Sequence, residues 1–328
     1  MKIGWFYYVN MSNCQQKIKI VFLGTPDFAS ICLKELLEDN DIDVMFSVTK
    51  PDIKKNRGMQ IEEPEVKKIS KLYNIPCYQP ARIKNDRQLI DLLKSSKPDF
   101  LVVVAFGEIL SQEILDIPTK ACINGHASLL PKYRGSSPIQ TALLNGDKIT
   151  GVTTMIMSYE LDAGDILEQE VINIHDKETS EQLFDELKIT NAKLMLHTIK
   201  NFDEIKPKKQ DVSQVTKCNI IKKEDGLINL SSENSIDIYH KVYAYNPWPS
   251  AYFKTNNGII KLWDVDTIDD NTKTSIDSAL DKKLIYDVLI LYNNQLYVKA
   301  KDSYLKINTL QLESKKKMSS NDFINGLR

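Results

Sequence analysis

Histidine is scarce in this chain. Only four stand among its 328 residues, at positions 126, 175, 197 and 240. The five cysteines (Cys14, Cys32, Cys77, Cys122 and Cys218) are scattered singly, with no Cys-x-x-Cys and no pairing pattern. That usage points to a reducing compartment and offers no ligand set for a structural zinc, so no metal is expected. No apolar run approaches the ~20 residues of a membrane span, and no membrane partner is expected. No serine or cysteine lies in a nucleophile motif such as Gly-x-Ser-x-Gly, and Gly-x-Gly-x-x-Gly is absent. The opening MKIGWFYYVNMSNCQQ has one lysine and a short aromatic patch. It lacks the long apolar core and small-residue cleavage site of a signal peptide. Residues 1–16 therefore read as a disordered N-terminal extension, with Met11 a second candidate start, and the expected location is cytoplasmic.

What is present belongs to a soluble globular protein: 42% hydrophobic and 27% charged residues, enough chain for roughly two domains. The net charge of −1 hides an asymmetry. Residues 1–205 hold 24 Lys/Arg against 29 Asp/Glu, or −5, and residues 206–328 hold 19 against 15, or +4. A mildly basic second part is compatible with a polyanionic partner without requiring one.

Strands are expected at 17–23 (KIKIVFL), 41–49, 100–105 (FLVVVA), 121–126 and 151–157, the third apolar throughout as in a strand buried on both faces. Between and after them the pattern predicts helices over 27–38, 64–73, 86–93 and 179–200, the last starting at Thr179-Ser180. This alternation points to an α/β class with an open, mostly parallel, Rossmann-like sheet over residues 17–205. The composition changes at KPKKQ (206–210), and residues 206–217 read as a polar linker. Beyond it, short strand-like runs at 226–230, 251–254, 258–265, 284–292, 295–300 and 303–310 suggest a small barrel or sandwich over 218–328.

The first turn, GTPDF at 24–28, occupies the place of a dinucleotide fingerprint, yet its Asp27 would repel a pyrophosphate. Asp27 reads as a helix N-cap, and an NAD dehydrogenase is disfavoured. The stretch CINGHASLLPKYRGSSPIQ carries Asn124 and His126, two residues apart on an expected strand and so on one face. At a strand's carboxyl end they would face the crevice where open α/β sheets bind ligands. An amide beside an imidazole can hold a carbonyl oxygen as it becomes an oxyanion, and histidine moves protons near neutral pH. YELDAGD at 159–165 offers the missing carboxylate, Asp162. The set without a protein nucleophile suits direct acyl transfer between two bound substrates. The plainer readings are an Asn-Gly turn with a structural histidine, and an acidic loop.

INGHASLLPKYRG, LDAGD and AFGEIL (105–110) together resemble the formyltransferases that use 10-formyltetrahydrofolate. Within that family, GTPDF, PDIKKNRG (51–58), KEDGLI (223–228), NPWP (246–249) and KKKMSSNDFING resemble the branch acting on initiator methionyl-tRNA, from about Ile18 to the end. The resemblance implies that Asn124, His126 and Asp162 are catalytic and that the second domain is an OB-like β-barrel helping to hold tRNA. It implies folate contacts at Phe106, Gly107, Glu108 and Leu110, at Ser128, Leu129, Leu130 and Pro131, and at Tyr159, Glu160 and Leu161. It places Phe28 near the methionine side chain and Arg57 toward the acceptor end, with Lys54, Lys55, Lys206, Lys208 and Lys209 as further phosphate contacts. The implied partners are the folate co-substrate and initiator methionyl-tRNA, with the enzyme a monomer.

Two departures from the family pattern stand out. Met59, Gln60, Glu62 and Glu63 follow Arg57-Gly58 where basic residues are usual, and Gly125 replaces a β-branched residue. A glycine there costs roughly 0.5–1 kcal/mol of local order. A same-fold rival is a formyltransferase or hydrolase acting without tRNA, for instance on a sugar nucleotide amine. A rival from another class is a nucleotide-binding module in which Asn124 and His126 are structural. His175, His197 and His240 read as surface or packing residues, Cys122 as a packed strand residue, and NPWP as a packed corner with Trp248 buried.

Overall fold

The computed structural model describes residues 17–55 and 60–327. The extension 1–16 and Arg57 lie outside the described residues, as do the side chains of Lys54 and Lys55. The chain forms two compact units, one ending at Ile123 and one beginning at Asn124.

In the first unit, β1 (Ile18–Gly24), α1 (Asp27–Glu38) and β2 (Ile42–Val48) follow the expected pattern within a residue at each end. A small hairpin, β3 (Ile53–Lys55) and β4 (Gln60–Glu62), precedes α2 (Glu65–Leu72), β5 (Cys77–Tyr78) and α3 (Arg87–Ser96). β6 (Phe100–Val104) is buried along its whole length, as a run apolar on both faces requires, and α4 (Gln112–Leu115) follows it. β7 (Ala121–His126) contains the boundary between the units.

Asp27 is not the cap expected of it. Pro26 occupies the cap position with extended backbone, and Asp27 is the first helical residue, its carboxylate accepting from Ser30 Oγ at 3.3 Å. The proline ring holds φ in a range that suits a cap, and an acid in the first turn favours the helix dipole.

The second unit begins at the end of β7 and continues through β8 (Arg134–Gly135), α5 (Pro138–Leu144), β9 (Ile149–Ile156), β10 (Ile166–Asn173) and α6 (Ser180–Lys200). Thr179 caps α6 reciprocally with Gln182, which is why the helix starts where the sequence indicates. The open sheet has the order β10-β9-β7-β6-β1-β2-β5. β1 runs parallel to β2 and β6, β5 runs parallel to β2, and β10 is antiparallel to β9. The chain has a Rossmann-like, mostly parallel sheet.

β11 (Lys217–Cys218) pairs in parallel with β8. After α7 (Ser235–Ala244), an antiparallel sheet forms from β12 (Ala251–Thr255), β13 (Gly258–Thr267), β14 (Lys283–Ile285), β15 (Leu289–Tyr292), β16 (Gln295–Lys299), β17 (Tyr304–Leu312) and β18 (Met318–Ser319). Helices α8 (Asp270–Ser278) and α9 (Ser320–Asn325) complete this small OB-like domain. Its order is β12-β13-β17-β16-β15-β14, with β18 on β17. Phe253, Ile260, Leu262, Leu296, Leu305 and Leu310 are among the residues of its core.

Two expectations here are corrected. Residues 226–230 form no strand: a 3-10 turn, Lys223–Gly226, is followed by a lone bridge from Leu227 to Tyr252. Asp225 takes the Lys222 N–H at 2.7 Å, which caps the 3-10 turn whose last residue, Gly226, is the first of the expected strand. Trp248 is 55% exposed rather than buried. The NPWP corner is held at its ends instead, by Ser180 Oγ on the Asn246 carbonyl (2.8 Å) and by the Ser250 N–H on the Tyr245 carbonyl (2.8 Å). That leaves the tip at 247–248 turned outward.

Candidate active site

All six residues of β7 are buried. Asn124 and His126, two apart, share one face, and Gly125 between them turns to the other. An added Cβ at Gly125 would stand 2.2 Å from Asn191 Oδ1 on α6. Asn191 is fully buried and neither of its side-chain polar atoms has a hydrogen-bond partner. The glycine is therefore the space into which that amide fits, which gives the departure at 125 a physical cause.

His126 Nε2 lies 2.9 Å from the Tyr133 carbonyl oxygen. A carbonyl only accepts, so Nε2 carries the hydrogen of the neutral ring and Nδ1 presents its lone pair. Nδ1 is 3.7 Å from Asp162 Oδ2, too long for a direct hydrogen bond and short enough for an ion pair once Nδ1 is protonated. Tyr133 itself is firmly set: its N–H donates to Thr216 Oγ1 (2.9 Å) and its hydroxyl to Asp147 Oδ2 (2.6 Å). Burial, then the bond to Asp147, push the phenol up to about 12, so it stays neutral.

Asp162 has a left-handed backbone, φ 51°. Its Oδ2 accepts the Gly135 N–H at 2.8 Å, and its carbonyl accepts Gln210 Nε2 at 2.9 Å. Gln210 Nε2 also donates to the Gly164 carbonyl (2.8 Å), while Gln210 Oε1 accepts from Arg134 Nε (3.0 Å). Arg134 and Gln210 are both buried, and Arg134 Nη1 reaches Glu160 Oε1 at 3.6 Å. Sequence reasoning missed these two residues. Gln210 gave no signal, standing among the lysines of KPKKQ.

The segment 128–131 is pinned from beneath. Ser128 Oγ donates to the Lys132 carbonyl (2.7 Å), Thr153 Oγ1 donates to the Ser128 carbonyl (2.6 Å), and the Leu130 N–H returns to Thr153 Oγ1 (3.1 Å). Gln169 Nε2 donates to the Leu130 carbonyl at 2.9 Å, and Leu130 packs on Met155 and Ile166. Leu129 and Pro131 are half-buried, whereas Tyr159, Glu160 and Leu161 are exposed.

In the first unit, Phe106 and Leu110 are buried, so the loop after β6 offers its backbone rather than those side chains. Gly107 is left-handed at φ 74°, and Lys50 Nζ sits 2.6 Å from where a Cβ on it would stand. Glu108 Oε2 is occupied by the Ile83 N–H (3.1 Å). Phe28 is buried at 5% exposure.

Lys206, Lys208 and Lys209 are exposed, and the Lys208 backbone bonds Ile166 in both directions at 2.8 Å. His197 pairs with Glu168 (3.0 Å), and the His240 ring packs against Gly146. Burial pushes the Cys122 thiol up, as fits a packed strand residue. Among the described residues no group of three or more His, Cys, Asp or Glu could hold a metal ion, and no helix is long and apolar enough to cross a membrane.

Residues 18–199 match the family of formyl transferases and residues 220–328 the C-terminal domain of formyl transferases. The methionyl-tRNA formyltransferase of Clostridium acetobutylicum is 40% identical over 311 residues, 94% of this chain and 96% of that protein. The chain belongs to the methionyl-tRNA formyltransferase family. The family's Campylobacter lari member is 42% identical over the same shares of both chains. Among solved structures, an N-formyltransferase from Helicobacter canadensis, in complex with folinic acid and dTDP-3-aminofucose, superposes with a TM-score of 0.64 at 17% identity, covering 92% of this chain and all of that one. HypX from Aquifex aeolicus, in complex with tetrahydrofolic acid, gives 0.57 at 16%, covering 94% of this chain and 47% of that longer one. At these identities the two structures speak for the fold.

Proposed function

We propose that this chain transfers a formyl group from 10-formyltetrahydrofolate to the α-amino group of methionyl-initiator-tRNA, giving N-formylmethionyl-tRNA for translation initiation. Residues 17–205 form the catalytic domain, 206–217 connect it, and 218–328 help to hold the tRNA. The observation that carries the reading is one strand face bearing Asn124 and His126, with the Asp162 carboxylate 3.7 Å from the imidazole. Family membership supplies the substrate class.

The neutral α-amine attacks the formyl carbon. The Asn124 amide meets the negative charge that develops on the formyl oxygen, and His126 does so once Nδ1 is protonated, since its Nε2 hydrogen is already given to the Tyr133 carbonyl. As the C–N10 bond breaks, Asp162, through His126 Nδ1 or a bridging water, helps carry the proton lost by the attacking amine to the departing N10 nitrogen. The folate supplies an activated formyl group. The residues proposed to hold it are the backbone at Phe106, Gly107, Glu108 and Leu110, the segment Ser128, Leu129, Leu130 and Pro131, and the exposed loop Tyr159, Glu160 and Leu161. Gly107 adopts the left-handed backbone that this loop needs, and Lys50 fills the space a side chain there would take. Phe28 would border the methionine side chain from within its own unit. Arg57, Lys54, Lys55, Lys206, Lys208 and Lys209 would meet phosphates. The enzyme works as a cytoplasmic monomer without a metal.

His126→Ala and Asp162→Ala should each lower turnover by ~10²–10³ or more, while filter binding of methionyl-tRNA survives. Near-normal turnover by either variant would remove these residues from the mechanism.

A further inference from the structure

We propose that Gln210 is a positioning residue for Asp162, so that the connection between the two sequence domains is part of the catalytic apparatus. The proposal rests on Asp162 taking part in formyl transfer. Every hydrogen-bonding group of the Gln210 side chain is engaged: Nε2 donates to the carbonyls of Asp162 (2.9 Å) and Gly164 (2.8 Å), and Oε1 accepts from Arg134 Nε (3.0 Å). The residue is 9% exposed.

A left-handed backbone at φ 51° is less costly for an aspartate than for most residues, but something must still hold it there. Gln210 does so by gripping the carbonyls on both sides of Ala163, which fixes the turn that aims the Asp162 carboxylate. The grip is itself anchored. Two residues earlier, Lys208 and Ile166 exchange backbone hydrogen bonds of 2.8 Å in both directions, tying the connection to the start of β10. Seven residues later, β11 pairs with β8, whose Gly135 N–H holds Asp162 Oδ2 at 2.8 Å. One short segment therefore sets the aspartate from two directions, its backbone through Gln210 and its carboxylate through the strand that backs Gly135. Arg134 closes the arrangement, since its side chain bonds Gln210 while its own strand carries Gly135.

The test compares Gln210→Glu, Gln210→Met and Gln210→Asn in the full chain, with rates normalised to sites that bind tetrahydrofolate. Glu keeps the shape and the acceptor for Arg134, but it sets an oxygen against two carbonyl oxygens. Met keeps the bulk and makes none of the bonds. Asn is one methylene short and can reach only one carbonyl. Misplacing a reacting group by about 1 Å costs about 10² in rate, so kcat should fall by about that factor in Glu and Met, and by less in Asn. KM for both substrates should stay within about threefold of wild type, as expected when an interaction acts on the chemical step. In an Asp162→Ala background, Gln210→Glu and Gln210→Met should cost nothing further, because their effect runs through Asp162. Unchanged kcat in the Glu and Met variants, a loss confined to KM, or losses that add to that of Asp162→Ala would each overturn the proposal. Absence of turnover in the wild-type protein would instead sink the formyl-transfer reading itself.

Discussion

Gly125 and Asn191 should behave as one unit, and a double-mutant cycle measures it. A Cβ on Gly125 would lie 2.2 Å from Asn191 Oδ1 and 3.0 Å from both Cγ and Nδ2. The two elements would have to part by about 1 Å to restore ordinary contact, and overpacking of that kind costs about 1–3 kcal/mol. Valine, with two further methyl groups, belongs at the top of that range. Asn191→Ala removes an amide whose burial without partners costs about 1–3 kcal/mol, but it opens a cavity that offsets much of the gain. Its net effect on stability should be near zero. In the double variant the valine fills the vacated space, and stability should come within about 1 kcal/mol of wild type. The coupling is then about 2–3 kcal/mol, at the upper end for residues in contact. Urea unfolding at constant m-value reads it directly. Because Asn124 and His126 flank Gly125, kcat should fall in Gly125→Val and recover in the double variant. Stabilities that add within about 0.5 kcal/mol would refute the packing argument.

Removing Lys206, Lys208 and Lys209 together should weaken tRNA binding and flatten its salt dependence, with a slope change of about 0.7–0.9 for each phosphate no longer neutralised. An unchanged slope in a binding titration across salt concentrations would move the phosphate contacts elsewhere. Burial first, then the charge of Lys148, push His240 below its usual 6.5, against a smaller opposing pull from Asp237. The folded state therefore disfavours its protonation, and its contribution to stability is intact above about 6.5 and lost as pH falls below that toward the folded value. Urea unfolding at pH 7.5 and 5.5 should show a smaller acid loss in His240→Gln than in wild type, and equal losses would count against the assignment.

The parts of the fold most visible in the sequence are those where one local signal dominates. β6 is apolar at every position, and α6 announces its start through the Thr179–Gln182 cap. β10 was hidden because Glu168, Gln169 and Glu170 interrupt its apolar residues, as an edge strand permits. The run 284–292 looked like one strand because Tyr286 and Asp287 give little sign of the left-handed turn that divides it into β14 and β15. At the candidate site, the period of two along β7 was enough to pair Asn124 with His126. The supports were not legible: Tyr133 offers a backbone carbonyl, Gly135 a backbone N–H, and Gln210 reaches Asp162 from 48 positions away. Backbone groups carry no sequence signature, and a glutamine among lysines reads as solvated surface. Trp248 misled for the opposite reason, since an aromatic between prolines suggests packing while the corner is held by its ends.

The central claim is formyl transfer to initiator methionyl-tRNA, and the most direct measurement supplies the purified chain with 10-formyltetrahydrofolate and either charged initiator or charged elongator methionine tRNA. The account predicts rapid appearance of acid-precipitable N-formylmethionyl-tRNA with the initiator, much less with the elongator, and loss of both with His126→Ala. Equal formylation of the two tRNAs would contradict the proposed specificity, and no formylation of either would contradict the account as a whole.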